Sequence, residues 1–213
     1  MSRRGERLCA AATLLFCATL CRAAPDFAGE RASDDAQYAA AQALDGGDAH
    51  GAPFAIVDKR EARIYVFGAA GRLTGASPVL LGLAPGDSDA PDIAGRAPAS
   101  LAPRERATPA GRFESQPGHN DKGEAIVWVD YDASLAIHRL RPAPPQERRA
   151  ERLASASADD NRISLGCIVV PVAFYDGVVG PTLGTRRGVV YVLPETRPVQ
   201  ALFDTLDLAL LTH

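Results

Sequence analysis

Cys167 lies in a run of strand-forming residues and directly follows Gly166, in the segment NRISLGCIVVP. A cysteine attacks carbonyl carbons as its thiolate, and its ordinary pKa of about 8.5 leaves little thiolate at neutral pH. A preceding glycine lets the backbone turn sharply, so that nearby N–H groups can point at the oxygen of a bound acyl group. These two residues therefore suit acyl transfer, provided that a base lies close by.

A histidine is the most common base for such a thiol, and the chain offers four: His50, His119, His138 and His213. His138 is the preferred candidate because it stands near the end of an apolar strand, SLAIHRL, where alternation places it on one face with Ala136. A core or surface histidine without a catalytic role is the alternative interpretation. His50 lies in a linker and His213 is the last residue, so we expect both in solvent. His119, in a loop after TPAGRF, is a candidate for lining a groove.

A three-part pattern opens the chain: basic residues in MSRRGER, an apolar run from Leu8 to Leu20, and small residues up to Ala23. This order is typical of a secretory signal peptide, and the apolar run is shorter than a membrane-spanning helix needs. We expect residues 1–23 to be cleaved, which predicts an exported, periplasmic protein without a transmembrane segment. An uncleaved anchor, a lipoprotein modified at Cys21 and a twin-arginine signal are the alternatives.

Three of the four cysteines, Cys9, Cys17 and Cys21, fall in this leader, so cleavage would leave Cys167 alone. No intramolecular disulfide is then possible. A lone cysteine in an oxidising compartment is buried and inert, paired between chains, or used as a reactive thiol. On the residues alone these three alternatives stay open.

The composition excludes several classes of function. With 213 residues and 46% hydrophobic content, the chain has enough material for one domain with a real core. Its net charge of -3 gives no basic field, so we expect no nucleic-acid partner. The sequence also lacks the paired Cys or His spacing of a metal site and the Gly-rich loop of a phosphate site, so no metal or cofactor is expected.

The elements follow from hydrophobic periodicity and turn residues. Residues 24–52 read as an N-terminal arm or linker with one short helix, SDDAQYAAAQAL, capped by Ser33 or Asp34. Short β-branched and aromatic runs from Pro53 onward predict strands joined by hairpins, and residues 84–107 predict a long surface loop. Helices are predicted in PPQERRAERLAS, PVAFYDGVVG and VQALFDTLDLALL. Strands without βαβ alternation predict a mainly β domain over residues 53–213, with a few peripheral helices.

Four segments, in this order, resemble the catalytic domain of the L,D-transpeptidase family (YkuD-like). They are FAIVDKREARIYVFGAAGRLTGASPVLLG, TPAGRF, AIHRL with RISLGCIVVP, and GVVYVLPE, which together extend from about Pro53 to Glu195. The chain departs from the family motif at three positions. Arg139 replaces the glycine that follows the base, Leu165 replaces the motif histidine, and Val169 replaces an Arg or Asn after Cys-Ile.

The resemblance implies a β-sandwich or barrel and a cysteine acyltransferase acting on peptidoglycan stem tetrapeptides, without a cofactor. It implies that Cys167 is the nucleophile, His138 the base, and the N–H groups of Gly166 and Cys167 the oxyanion hole. Ser164 would orient the motif where the substrate binds. Arg162 or Arg139 would take over binding of a substrate carboxylate, with His119 along the groove.

The acceptor implied by the family is a second stem peptide or an outer-membrane lipoprotein. Two other functions stay open. One is hydrolysis of the same linkage, as an L,D-carboxypeptidase or an amidase. The other is a non-catalytic module of this fold that binds the cell wall, which the changes at Leu165 and Val169 favour. The retention of Cys167 and His138 together argues against that module.

Overall fold

The computed structural model describes residues 25–45, 47–49 and 51–204. The expected signal peptide with Cys9, Cys17 and Cys21, the residues His50 and His213, and most of the predicted terminal helix lie outside the described residues.

The described residues form ten strands and four α-helical segments. The strands are β1 (Phe54–Asp58), β2 (Arg63–Phe67), β3 (Leu73–Pro78), β4 (Leu81–Gly82), β5 (Gly111–His119), β6 (Ala125–Asp130), β7 (Leu135–Arg139), β8 (Arg162–Ser164), β9 (Ile168–Val170) and β10 (Gly188–Val192). The helices are α1 (Asp34–Asp45), α2 (Arg149–Leu153), α3 (Val172–Phe174) and α4 (Gly180–Leu183), with a π-helical turn, Tyr175–Val179, joining α3 to α4. Residues 200–204 are also helical.

Eight strands form one sheet in the order β3-β2-β1-β10-β5-β6-β7-β9, and β4 pairs with β8 in a small second sheet. Most neighbours are antiparallel, but β1 pairs with β10 and β7 with β9 in parallel. The chain just after edge strand β3 contacts the other edge strand, β9, where Leu80 and Val169 exchange backbone hydrogen bonds of 2.8 and 2.9 Å. The sheet is therefore nearly closed, and the predicted mainly β class with peripheral helices is confirmed.

Each face of the sheet is covered by its own apolar core. Alternation along β1 sends Ala55 and Val57 into a first core, against the helical segment from Val172 to Leu183. Phe54 and Ile56 point the other way, into a second core under α1 and residues 200–204. All five residues of β1 are consequently buried, which is expected for a central strand with both faces covered.

Helix α1 begins after Ser33, whose Oγ accepts a hydrogen bond of 3.0 Å from the N–H of Ala36. The predicted serine cap is thus present. Every buried residue of this helix is an alanine, at positions 36, 39, 40 and 43, which is the spacing of one helix face. These alanines bring the helix backbone close to the second core, so this part of the N-terminal arm packs on the sheet.

One predicted helix is interrupted, and the predicted loop is present. The stretch PPQERRAERLAS forms a 3-10 turn, Pro145–Glu147, and the short helix α2, because Arg148 between them has a φ of 48°, a left-handed conformation that breaks the helix. The loop predicted over residues 84–107 is a loop, with two 3-10 turns, Pro98–Ser100 and Pro103–Glu105. Across the described parts of the chain, every helix is too short or too polar to span a bilayer.

The packing of α1 predicts the cost of a charge on its buried face. Replacing the fully buried Ala40 by glutamate should lower the free energy of unfolding by about 3 kcal/mol, because the carboxylate loses water without gaining a partner. Gln37→Glu on the exposed face of the same helix is the matched control, and we expect little change. Urea denaturation checks both variants, and equal stability of the two would contradict this packing.

Candidate active site

The parallel pairing of β7 with β9 brings His138 and Cys167 to one face of the sheet. His138 lies opposite Val169, and Ile137 lies opposite Ile168. Ile137 and Ile168 point into the first core, so the alternating residues His138, Val169 and Cys167 point to the other face. By the same register Cys167 lies level with Ala136. Ala136 is two residues before His138 on β7, so Cys167 and His138 are about 7 Å apart along the strand direction.

The orientation of His138 is set by its own backbone neighbour. Its ring is buried, with 7% of the residue exposed, and Nδ1 lies 2.7 Å from the carbonyl oxygen of Arg139. A carbonyl only accepts, so Nδ1 carries the proton and Nε2 keeps the free lone pair in the neutral ring. Burial, and secondly the charge of Arg141, lower the pKa of His138 to about 4. The ring is therefore a neutral base over the whole physiological range of pH.

The turn that carries the thiol is held by Ser164. Gly166 has a φ of 131°, a conformation that L side chains rarely adopt. The Ser164 hydroxyl donates a hydrogen bond of 2.6 Å to the carbonyl oxygen of Cys167 and accepts one of 3.1 Å from the N–H of Gly166. Because this N–H is already engaged, it can bind an oxyanion only after leaving Ser164.

The thiol of Cys167 is in an environment that keeps it protonated. Its Sγ donates to the carbonyl oxygen of Ser134 at 3.4 Å. The residue as a whole is partly exposed, but the sulfur is enclosed, and burial raises the pKa of the thiol more than the Ala136 N–H and the Arg141 cation lower it. Burial therefore favours a neutral thiol and a neutral imidazole on this face of the sheet, rather than a thiolate with an imidazolium.

The loop over residues 84–107 covers the thiol. Its side chains Ala90, Ile93 and Leu101 line a small cavity together with Ser134 and Cys167. The cavity has a volume of about 20 Å³, which is room for one water molecule. Arg96 keeps this cover compact through a two-pronged ion pair with Glu105, at 3.2 and 3.1 Å. A molecule larger than water can therefore reach the Cys167 sulfur only if part of this loop moves.

Thr108 of the TPAGRF segment is a site residue that the sequence analysis did not single out. It is fully buried, and its hydroxyl donates a hydrogen bond of 2.7 Å to the carbonyl oxygen of Gly166. The same hydroxyl accepts one of 2.8 Å from the N–H of Gly82. Thr108 thus clamps the glycine before the nucleophile. Its position at the start of a motif shared with the resembled family was the available signal.

Arg162 lies beside the Thr108 clamp, in a cluster of buried charges. The ammonium of Lys59, with no exposed surface, lies 2.9 Å from Asp87 and 3.3 Å from Glu195. Arg162 forms an ion pair with Glu195 and donates to the carbonyl oxygen of Lys59 at 3.1 Å. Burial alone would raise the pKa of Asp87, but hydrogen bonds from Thr196, Glu195 and Lys59 lower it well below its usual range. In this structure Arg162 is therefore bound to the protein itself.

Two other candidate residues lie apart from the Cys167–His138 face. Arg139 points to the opposite face, where it pairs with Asp176 at 2.6 Å and lies 4.0 Å from the ring centre of Tyr175. His119 is exposed at the end of β5, and the alternation of that strand places it on the face opposite to Gly118. Neither side chain is brought to the thiol.

Arg141, which the sequence analysis did not consider, is the cation that acts on both Cys167 and His138. It stands two residues after the end of β7, and its Nε donates to Glu124 at 2.7 Å. Its side chain is 40% exposed. The signal in the sequence was its short distance from His138 along the chain.

The two remaining departures from the family motif have different surroundings. Leu165 lines the small cavity beside Cys167. Val169 is fully buried and packs with Leu80 and Leu153 in a third, small apolar cluster. A polar residue at this position would lose water inside that cluster, so the valine fits its local packing. Within the described ranges, no group of three or more His, Cys, Asp or Glu residues is arranged to hold a metal ion.

The buried thiol predicts a distinctive pH profile for alkylation. Because burial disfavours the thiolate, the iodoacetamide reaction of Cys167 should have a midpoint at higher pH than that of an unstructured cysteine peptide in the same buffers. Mass spectrometry of the adduct gives the rate at each pH. A plateau already reached below pH 7 would instead reveal a thiolate–imidazolium pair and overturn this assignment.

The Thr108 clamp predicts a difference between two small substitutions. Thr108→Val removes the hydroxyl and leaves the Gly82 N–H and the Gly166 carbonyl without their partner, so the free energy of unfolding should fall by about 2–4 kcal/mol. Thr108→Ser keeps the hydroxyl and should cost about 1 kcal/mol, the value of one buried methyl group. Urea denaturation compares them, and equal losses would show that the hydroxyl does not hold the turn.

No protein-family model and no curated protein matches this chain. Among solved structures, Pgp2 of Campylobacter jejuni, a helical cell shape determining protein, is 14% identical with a TM-score of 0.44. The match covers 69% of this chain and 49% of Pgp2, so the chain spans about half the length of that protein.

Two L,D-transpeptidases are similar to a comparable degree. The catalytic domain of the E. faecium enzyme is 15% identical with a TM-score of 0.38, covering 66% of this chain and 95% of that one. The Xylanimonas cellulosilytica enzyme is 16% identical with a TM-score of 0.40, covering 70% and 67%. These three similarities, all with TM-scores below 0.5, concern the fold alone.

Proposed function

We propose that this protein is an exported cysteine acyltransferase that acts on peptidoglycan stem tetrapeptides through a thioester at Cys167. One observation carries the proposal: His138 shares a sheet face with Cys167 while its Nδ1 is bound to the Arg139 carbonyl, so that Nε2 is the free base. The motif resemblance around both residues supplies the substrate class. Export rests on the signal-peptide pattern of residues 1–23.

The first half-reaction follows from these two neutral groups. Nε2 of His138 takes the thiol proton as Sγ attacks the carbonyl carbon of the diamino acid at stem position three. The Cys167 N–H, on the turn held by Ser164, binds the oxyanion of the tetrahedral intermediate. The C–N bond to the terminal D-Ala then breaks, and the imidazolium gives its proton to the leaving amine. The products are free D-Ala and an acyl group bound to sulfur.

The second half-reaction returns the enzyme to its starting state. His138 takes a proton from the amine of a neighbouring stem, or of a lysine on an outer-membrane lipoprotein, as this amine attacks the thioester carbon. The C–S bond breaks and His138 returns the proton to the sulfur. Arg141 donates to Glu124 through its Nε and its side chain is partly exposed, and we propose that its other N–H groups bind a carboxylate of either substrate.

Hydrolysis of the same thioester is the second candidate function, as in an L,D-carboxypeptidase or an amidase. One observation favours it: the cavity beside Cys167 has room for one water molecule and is closed by the loop. Water that replaces the amine would release a tripeptide instead of a cross-linked product. The two outcomes share the first half-reaction and differ only in the acceptor.

The test uses the protein beginning at Ala24, mixed with a disaccharide-tetrapeptide and followed by intact-mass spectrometry. We expect loss of D-Ala and an acyl adduct on the unmodified protein, with none on Cys167→Ala. His138→Gln should slow adduct formation by roughly 10²–10⁴, the usual contribution of a general base. A cross-linked dimer among the products identifies the transferase, and a tripeptide identifies the hydrolase.

Two controls distinguish a loss of catalysis from a loss of folded protein or a nonspecific effect of a histidine substitution. Circular dichroism establishes that each variant is folded, and His119→Gln, a change at the exposed histidine apart from the site, should leave the rate unchanged. A folded protein that forms no adduct and turns over no substrate would refute the acyltransferase. The same result together with binding to isolated cell walls would support the non-catalytic wall-binding module.

A further inference from the structure

An aromatic pair lies on the same side of the sheet as the thiol and the base. Trp128 of β6 and Tyr131, just after that strand, pack edge to face, with ring centres 5.1 Å apart at an angle of 72°. Tyr131 is 65% exposed and Trp128 is partly exposed. A ligand that packs on exposed aromatic rings removes their apolar surface from water, which favours binding. Such a pair is therefore a candidate binding surface.

The strand register connects this pair to the reacting residues. Trp128 lies opposite Ala136 on β7, and Cys167 stands beside Ala136 because Ile137 pairs with Ile168. Val127 and Val129 point into the first core, so Trp128 points to the other face, as His138 and Cys167 do. Cys167, Ala136 and Trp128 thus form one row across three neighbouring strands.

The indole ring of Trp128 lies against the sheet because position 118 on the neighbouring strand is a glycine. A β-carbon at Gly118 would lie 2.4 Å from Cδ1 and 2.6 Å from Nε1 of Trp128, so the ring occupies the space above Gly118 on β5. Any side chain at position 118 would push the ring away from the sheet. The ring therefore lies between two and three strand spacings from Cys167, which is roughly 10–14 Å.

We propose that Trp128 and Tyr131 form a sugar-binding platform, which receives the pyranose ring that bears the stem peptide reacting at Cys167. The proposal rests on the proposed function. From the reacting carbonyl at stem position three to the sugar, three residues span roughly 10–11 Å at 3.3–3.6 Å each, which matches the separation of thiol and indole. A pyranose has one face of C–H groups that packs on an aromatic ring, and the indole N–H and tyrosine hydroxyl can meet its rim hydroxyls.

The first test is binding without turnover. Trp128 is the single tryptophan of the chain, so emission excited at a wavelength that tryptophan absorbs and tyrosine does not reports on this ring. With the Cys167→Ala protein beginning at Ala24, the disaccharide-tetrapeptide and the free disaccharide should both change the emission, and the free tetrapeptide should not. Equal emission with and without either sugar ligand, at concentrations that saturate turnover of the unmodified protein, would overturn the platform.

The second test is the effect of substitutions on KM. Trp128→Ala should raise KM for the disaccharide-tetrapeptide roughly three- to tenfold, leave kcat unchanged, and leave KM for the free tetrapeptide unchanged. Trp128→Phe should restore most of the affinity, and Tyr131→Ser should act in the same direction as Trp128→Ala. Val172→Ala, at another exposed apolar residue, is the matched control and should change nothing.

The outcomes separate this inference from the proposed function. Equal effects of Trp128→Ala on both substrates would show that the ring serves only to pack the sheet, and would refute the platform while the acyltransferase stands. A sugar-dependent change of emission in a protein that forms no adduct would support the platform and refute the acyltransferase. Thermal unfolding of each variant excludes a loss of folded protein as the cause.

Discussion

The geometry around the Cys167 thiol depends on the ion pairs and hydrogen bonds of the buried Lys59 ammonium. A charge without exposed surface costs several kcal/mol unless it is paired, and Lys59 is paired with Asp87 and Glu195. It also donates to the carbonyl oxygen of Thr108 at 2.9 Å. One side chain thereby ties the end of β1 to the base of the covering loop, to the segment before β5 and to the chain after β10.

From Lys59 a chain of hydrogen bonds leads to the turn before Cys167. Thr108, held through its carbonyl by Lys59, holds the carbonyl of Gly166 through its hydroxyl. Ser164 holds the other side of the same turn. Glycine adopts this backbone conformation without strain, and Ser164 and Thr108, the latter held by Lys59, fix it in place. The position of the Cys167 sulfur is therefore set by polar contacts, while the apolar cores position the strands.

Burial keeps both His138 and Cys167 uncharged. It shifts the pKa of His138 downward and that of the Cys167 thiol upward, so each group is neutral. An ion pair at this place would have to be desolvated, whereas two neutral groups avoid that cost. The loop that limits the cavity beside Cys167 to about 20 Å³ keeps bulk water away from the sulfur. Access to the sulfur therefore depends on this loop.

Local chemistry in the sequence determined much of this protein. The strand alternation around His138, the glycine before Cys167 and the Ser33 cap of α1 depend on near neighbours in the chain, and all three are present in the structure. Only the tertiary structure decided the parallel pairing of β7 with β9, because the two strands are separated by a long insert and their register depends on packing against both cores. It also decided which carboxylate pairs with each arginine. Arg139, Arg141 and Arg162 all form ion pairs with carboxylates that are distant in sequence. The charge of Arg141 in addition lowers the pKa of His138. The sequence determines the sign of each charged side chain, but the tertiary structure determines its partner, because the partners lie on segments that only the fold brings together.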